Sequence, residues 1–268
     1  MTSPQDRKRP GLEVRRRRAS ARPEREPERH EPPRPAPSRK AEARTGERRR
    51  RVGARPGRIR TGHEDRYVGE SPMACLGRKL IGARSLLALD FLTVTDAFSR
   101  DVADMTDQPE PLEIGHRGET RAWFPDYMIA RESGRRELVI VRTVGWLTGR
   151  DASYGAWMRD LVDAMEEAAH RAGFGFRLVT EEQIRVQPRL ANAKMLLRHL
   201  DPYRPRRDDV AAIDALAGIP DESSVSELQE RLGRRLDAFP LALRLDWLGH
   251  LRMDRRTWFR RKSGFTKT

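Results

Sequence analysis

The stretch E-L-V-I-V-R, Glu137–Arg142, has the pattern of a buried β-strand and decides the fold class of the chain. Four consecutive apolar residues, three of them β-branched, are typical of a strand that is covered on both faces. A turn at Ser133 and Gly134 precedes it, and Y-M-I-A, Tyr127–Ala130, lies on the other side of that turn. These two strands predict a meander.

Helices are predicted on both sides of this meander. Apolar residues between Leu76 and Phe91 fall at helix-compatible spacing, which predicts a helix over residues 84–95. A second helix is predicted to end at Gly173, a C-cap residue type. The remaining predicted elements are a hairpin over 116–124 with Gly118 in its turn, a strand over 174–180, a short helix after Thr180 and a helix over 190–200. This order predicts an α/β fold with a mixed sheet flanked by helices.

The positive charge of the chain is concentrated in its first part. The net charge is +14, and positions 1–60 hold 21 Lys and Arg against 8 Asp and Glu. Residues 1–70 are predicted to be a disordered Arg/Pro-rich basic tail, because they contain too little apolar surface to offset the entropy of ordering. A flexible polycation binds polyanions by counterion release, so nucleic acid is the expected partner. A tail that only solubilises the chain is the alternative.

Several other classes of protein are excluded by composition and motif. No apolar run approaches the roughly 20 residues that cross a bilayer, and the N-terminus lacks the apolar region of a secretory signal. The single Cys75 excludes an internal disulfide, so a cytoplasmic setting without membrane attachment is expected. His116 and His170 lack a second ligand at metal-binding spacing and are predicted to lie on the surface. Phosphate-binding and dinucleotide-binding glycine motifs are absent from the sequence.

Residues 202–268 are predicted to form a small separate helical unit after a Pro- and Arg-rich linker. Two helices followed by a basic strand or wing outline a winged helix-turn-helix, which would bind DNA. The alternative is a helical unit that packs on residues 71–201 and binds nothing. The candidate DNA-binding residues are Arg252, Arg255, Arg256, Arg260, Arg261 and Lys262.

The segment F-P-D-Y, Phe124–Tyr127, followed by L-V-I-V-R resembles the PD-(D/E)XK nuclease motif. In that motif an Asp opens one strand and an acidic residue and a Lys, two positions apart, lie on the next strand. Four further segments match in order: R-S-L-L-A-L-D-F-L, D-Q-P, G-F-G-F-R-L-V-T-E-E-Q-I-R and L-A-N-A-K-M-L-L. Together they resemble the N-terminal domain of TnsA-type transposon endonucleases over residues 84–199, which implies a restriction-endonuclease-like fold.

The resemblance places four residues at catalytic positions, and three of them have the wrong chemistry. Asp126 stands at the Asp position, Ala88 and Ile140 stand where the family has Glu, and Arg142 replaces Lys. One carboxylate binds Mg²⁺ weakly, so the expected cofactor is none, or weakly bound Mg²⁺ at Asp126. Arginine keeps its proton in proteins and therefore cannot act as a base. Strand alternation is expected to put Ile140 and Arg142 on the same side as Asp126.

The leading hypothesis is a DNA-associated protein with an impaired endonuclease fold. The resemblance implies double-stranded DNA as ligand and a transposase or another mobile-element protein as partner. Two alternatives stay open: an active Mg²⁺-dependent DNA endonuclease with a rearranged carboxylate, and a protein-interaction scaffold whose folded body does not bind DNA. The sequence therefore leaves open whether the chain is an enzyme.

Overall fold

The computed structural model describes residues 69–149, 151–200 and 207–268, all of which fall in one compact unit. The predicted disordered tail, residues 1–70, lies outside the described residues except for its last two positions, which begin a strand. The predicted linker after residue 201 also lies largely outside them.

The described residues form a mixed α/β structure, as the sequence predicts. The strands are, in chain order, β1 (Gly69–Met73), β2 (Lys79–Ala83), β3 (Val102–Asp107), β4 (Leu112–His116), β5 (Glu119–Trp123), β6 (Tyr127–Arg131), β7 (Arg136–Val141), β8 (Gly175–Val179), β9 (Glu222–Ser224), β10 (Leu251–Met253) and β11 (Gly264–Lys267). The α-helices are α1 (Leu86–Phe98), α2 (Val144–Thr148), α3 (Ala152–Arg171), α4 (Glu181–Ile184), α5 (Arg189–Arg198), α6 (Arg207–Ala217), α7 (Val225–Leu232) and α8 (Ala238–Leu248).

The central sheet has the order β3-β6-β7-β8, with β7 and β8 parallel and the other pairs antiparallel. Strand β7 is buried on both faces. Val139 and Val141 pack in a cluster with residues of α1, whereas Leu138 and Ile140 pack in a cluster with residues of α3. The sheet is therefore sandwiched between these two helices, which is what a continuous apolar run in a strand predicts.

Helix α1 confirms the first predicted helix, but the residues before it form a β-hairpin. Leu80 lies in β2 and is 58% exposed, so its helix-compatible spacing was misleading. The buried Asp96 of α1 anchors the hairpin, because its carboxylate accepts hydrogen bonds from the backbone N–H groups of Ala74 at 2.9 Å and Cys75 at 2.8 Å. Burial raises the pKa of Asp96.

Helix α3 packs on the other face of the sheet, together with the predicted hairpin β4–β5. His116 at the end of β4 is 3% exposed, so its predicted surface position is wrong. Its ring contacts Trp157 of α3 edge to face, and neither ring nitrogen has a hydrogen-bond partner among the described residues. The lack of a second metal ligand in the sequence says nothing about burial, and β4 ends over an apolar face of α3. Among the described helices, none combines the length and apolar character needed to cross a membrane.

The C-terminal unit contains three helices and a sheet of order β10-β11-β9. Helix α6 begins at Arg207, inside the segment predicted to be a linker, and β11 was also not predicted. In helix α8 every residue from Leu241 to Asp246 is buried. Its apolar residues share one cluster with Val94 of α1 and Leu190 of α5, so this unit and the preceding α/β body are joined by a continuous core.

A buried aspartate on α8 holds two arginines at this junction. Asp246 is fully buried and pairs with Arg255 at 2.5 Å and with Arg100 at 3.3 Å. The Arg255 guanidinium carbon lies 4.6 Å from the ring centre of Phe98 and 5.6 Å from that of Phe259. Burial raises the pKa of Asp246 although both arginines oppose that shift. The trio therefore links α8, the end of α1 and the residues after β10.

Replacing Asp246 by Ala should strongly destabilise the fold, because it leaves Arg255 stacked between two rings without its counter-charge. We expect a loss of about 3 kcal/mol in the free energy of unfolding, measured by urea denaturation. Asp104→Ala, which removes an exposed pair with Lys79, is the control and should cost less than about 1 kcal/mol. Equal losses in the two variants would contradict a structural role for Asp246.

His116 should make stability depend on pH in the acidic range. Burial, helped by Arg121 and Arg117, lowers the pKa of His116 below its ordinary value of 6.5. The folded state therefore disfavours the proton, and the contribution of neutral His116 is complete above pH 6.5 and declines as the pH falls below it. Thermal unfolding at pH 7.5 and pH 5.5 should show that stability falls less between these pH values in His116→Phe than in the parent chain. An equal fall in stability in the two proteins would contradict a role of His116 in this pH dependence.

Candidate functional site

A cavity of about 620 Å³ lies where β3, β6 and β7 meet the beginning of α1. Its charged side chains are two arginines and two aspartates, so its formal charge is balanced. The polar lining residues are Arg84, Ser85, Asp107, Gln108, Asp126, Arg142 and Thr143. Aromatic side chains of Phe124, Tyr127 and Trp146 complete the wall. The Tyr127 hydroxyl donates to the Gly82 carbonyl at 2.9 Å, and burial raises its pKa, so it remains protonated.

Asp126 and Arg142 form an ion pair in the cavity wall. Oδ2 of Asp126 accepts hydrogen bonds from Nη1 of Arg142 at 2.5 Å and from the backbone N–H of Val141 at 2.7 Å. The Arg142 guanidinium carbon lies 5.3 Å from the ring centre of Trp146. The side chains of Asp126 and Arg142 are 20% and 29% exposed. The aspartate therefore holds the arginine against the tryptophan ring.

Of the other two residues that the resemblance places at catalytic positions, one lines the cavity and one does not. Ala88 of α1 is buried and lines the cavity. Ile140 does not line it; the side chain is fully buried in the cluster beneath α3. The expectation that Ile140 shares the side of Asp126 is therefore wrong. Val139 and Val141 face α1, so alternation directs Ile140 to the opposite face, and Arg142 escapes that rule because β7 ends at Val141.

The carboxylates nearest in sequence do not complete the site. Glu137 on β7 pairs with Arg131 and Arg177, and Asp90 on α1 pairs with Arg185 and Lys194. The second carboxylate of the cavity comes instead from Asp107, the last residue of β3, which sequence reasoning missed.

Mg²⁺, which the resemblance implies here, does not fit Asp126 as the structure pairs it with Arg142. Proteins hold Mg²⁺ with carboxylate oxygens and water, often with substrate phosphate. Oδ2 of Asp126 is occupied by two donors, and the guanidinium of Arg142 places a positive charge beside it. Within residues 69–149, 151–200 and 207–268, no three His, Cys, Asp or Glu side chains form a group that could hold a metal. We therefore assign no metal-dependent step to this cavity.

The loop between β10 and β11, residues 254–263, carries most of the candidate DNA-binding residues. Buried Asn192 of α5 holds it: Nδ2 donates to the Thr257 carbonyl at 2.7 Å, and Oδ1 accepts from the Phe259 N–H at 3.0 Å. Phe259 is buried in the core below. Trp258, between these two anchored residues, is 48% exposed. Asn192 therefore fixes the backbone on both sides of Trp258, whose side chain faces solvent.

The six basic candidates divide into two groups. Arg255 is committed to Asp246, and Arg261 forms a two-bonded ion pair with Asp237. The other four are exposed, and their side chains form no ion pair with the described residues: Arg252, Arg256, Arg260 and Lys262. Asp254 is an acidic residue of the same loop. The loop therefore presents several uncompensated positive charges on a fixed backbone.

No family model matches this chain, and no curated protein matches it.

The Asp126–Arg142 pair should contribute measurable coupling to stability. A double-mutant cycle with Asp126→Asn and Arg142→Gln should give a coupling of about 1 kcal/mol, at the lower end of contacting pairs because both side chains are partly exposed. Urea denaturation of the four proteins measures it. The exposed pair Arg117–Asp160 supplies a control cycle with smaller coupling. Additive effects of the two substitutions would show that the pair does not hold Arg142.

Proposed function

We propose that this chain is a DNA-associated protein that binds duplex DNA through phosphate contacts and does not cut it. Its body resembles the N-terminal domain of TnsA-type transposon endonucleases, and a mobile-element protein is the partner that this resemblance implies. The C-terminal unit, with the order α6, β9, α7, α8, β10 and β11, resembles a winged helix.

The β10–β11 loop is the observation that carries the proposal. Arg256, Arg260 and Lys262 project from a backbone that Asn192 fixes, and Trp258 adds exposed aromatic surface beside them. Uncompensated cations on an ordered loop bind the phosphates of DNA with release of counterions. Because the backbone is already ordered, it loses little conformational freedom on binding. A loop with paired charges would not have this property.

Helix α8 limits how such a protein would recognise DNA. In a helix-turn-helix the second helix enters the major groove and reads base edges. The corresponding helix here is α8, and its single arginine, Arg244, is buried in an ion pair with Asp209. Since Leu241–Asp246 of α8 are buried in the shared core, these residues do not reach base edges. The proposed binding is therefore independent of sequence, because phosphate contacts carry no base information.

The cavity supports binding without cleavage. Arg142 occupies the place of the family lysine and neutralises Asp126, the one family carboxylate that remains. Ala88 and Ile140 supply no ligand for a metal or a water.

The triple variant Arg256→Ala, Arg260→Ala, Lys262→Ala should weaken duplex binding by the full chain. The slope of log affinity against log salt concentration is negative, and each lost phosphate contact reduces its magnitude by about 0.9. We therefore expect the magnitude to fall by about 2.7. Fluorescence anisotropy with a labelled duplex, measured from low to moderate salt, gives the slope. The control Arg159→Ala, Arg234→Ala, Arg235→Ala removes three exposed arginines elsewhere and should change the slope much less.

Arginine-specific chemical labelling, resolved by mass spectrometry, separates binding by the loop from binding by residues 1–70. Duplex DNA should protect Arg252, Arg256 and Arg260 from modification. Protection restricted to residues 1–70 would overturn the proposal for the folded body.

Asp107 favours one second candidate, an active Mg²⁺-dependent endonuclease with a rearranged carboxylate. It brings a second carboxylate to the cavity of Asp126, which the motif alone does not provide. Incubating the chain with supercoiled plasmid and Mg²⁺ or Mn²⁺ distinguishes the candidates. We expect no cleavage; cleavage that disappears in both Asp107→Asn and Asp126→Asn would establish the enzyme instead.

A further inference from the structure

A second basic surface lies at the β8 edge of the central sheet. We call it the β8-edge cluster and define it by Arg131, Arg135, Glu137, Arg177 and Arg189. Glu137 is buried and accepts from Arg131, and it also pairs with Arg177 at 3.3 Å. The Arg177 guanidinium carbon lies 5.6 Å from the ring centre of Phe91 on α1. One carboxylate is therefore shared by two arginines.

Two more arginines flank this shared carboxylate and have no ion-pair partner among the described residues. The guanidinium of Arg135 lies against the backbone of Gly175, where a Cβ would be 3.5 Å from its Nη2. Burial lowers the pKa of Arg177, Glu137 opposes that shift, and the charges of Arg131, Arg135 and Arg189, which is at the start of α5, lower the pKa further. Exposed Asp101, bound to Arg131, adds negative charge, and exposed Glu132 lies in the turn next to Arg131. The cluster therefore has an excess of positive charge.

Helix α5 connects this cluster to the β10–β11 loop. Arg189 and Asn192 are three residues apart on α5, so they occupy one face and are separated by about 4.5 Å along the helix axis. Asn192 holds the backbone of Thr257 and Phe259, which brackets exposed Trp258. Arg189 and the residue that holds the loop are thus about one helical turn apart.

We infer that the β10–β11 loop and the β8-edge cluster form one continuous surface for the phosphate backbone of duplex DNA. This inference rests on the proposed function and extends it from the loop to the α/β body. Arg135 and Arg189 supply the phosphate contacts of the body, while Arg131 and Arg177 stay bound to Glu137. A phosphate beside Arg135 and Arg189 offsets the charge excess of the cluster, so binding relieves repulsion as well as forming contacts.

The test uses the full chain, a labelled duplex and the double variant Arg135→Ala, Arg189→Ala. Two lost contacts should reduce the magnitude of the negative salt slope by about 1.8. Arg135→Lys, Arg189→Lys keeps both charges and should restore most of the slope. Arg159→Ala, Arg234→Ala is the charge-matched control and should retain the parental slope. Circular dichroism melting of each variant verifies that it is folded.

Arginine labelling separates failure of this inference from failure of the proposed function. Protection of Arg135 and Arg189 together with the loop arginines supports the continuous surface. Protection of the loop arginines alone, or an unchanged slope in the double variant, overturns the surface and leaves the proposed function intact. Protection of neither group overturns both.

Discussion

Strand β7 is covered on both faces, and the rest of the structure depends on this constraint. Val139 and Val141 pack under α1, while Leu138 and Ile140 pack under α3. A slip of one residue would exchange every side chain between the two faces, so the register is strongly specified. The cavity lies where this constraint ends: β7 ends at Val141, and the side chain of the next residue, Arg142, meets the carboxylate of Asp126, which lies just before β6.

The parts of the fold that could be predicted from the sequence have strong local patterns. Helix α3 repeats its apolar face over 20 residues, and the β4–β5 hairpin has Gly118 in its turn. The β1–β2 hairpin could not be predicted, because its strands are short and partly exposed and Leu80 mimics a helical spacing. The burial of His116 depends on Trp157, 41 positions later in the chain, so no local signal reveals it.

Some residues of the candidate site could be predicted from the sequence and others could not. The order of family-like segments brings Ala88, Asp126 and Arg142 to one cavity, and the structure places all three there. Alternation counted from Arg142 misplaced Ile140, because that arginine lies just beyond the strand. The role of Asn192 was beyond sequence reasoning, since its two hydrogen-bond partners are 65 and 67 residues away. Long-range polar contacts of this kind leave no periodic signal.

The burial of α8 has a mechanical consequence. Its core joins the C-terminal unit to α1 and α5, and a hinge there would expose apolar surface and the charges of Asp246 and Arg244. Interfaces between domains are usually smaller and more polar than a continuous core of this kind, and they permit the domains to move relative to each other. Because this core is continuous, we expect the loop and the sheet edge to move together. If DNA binds both, the DNA must do the bending, and flexible pyrimidine–purine steps would bind at the lowest deformation energy although no base is touched.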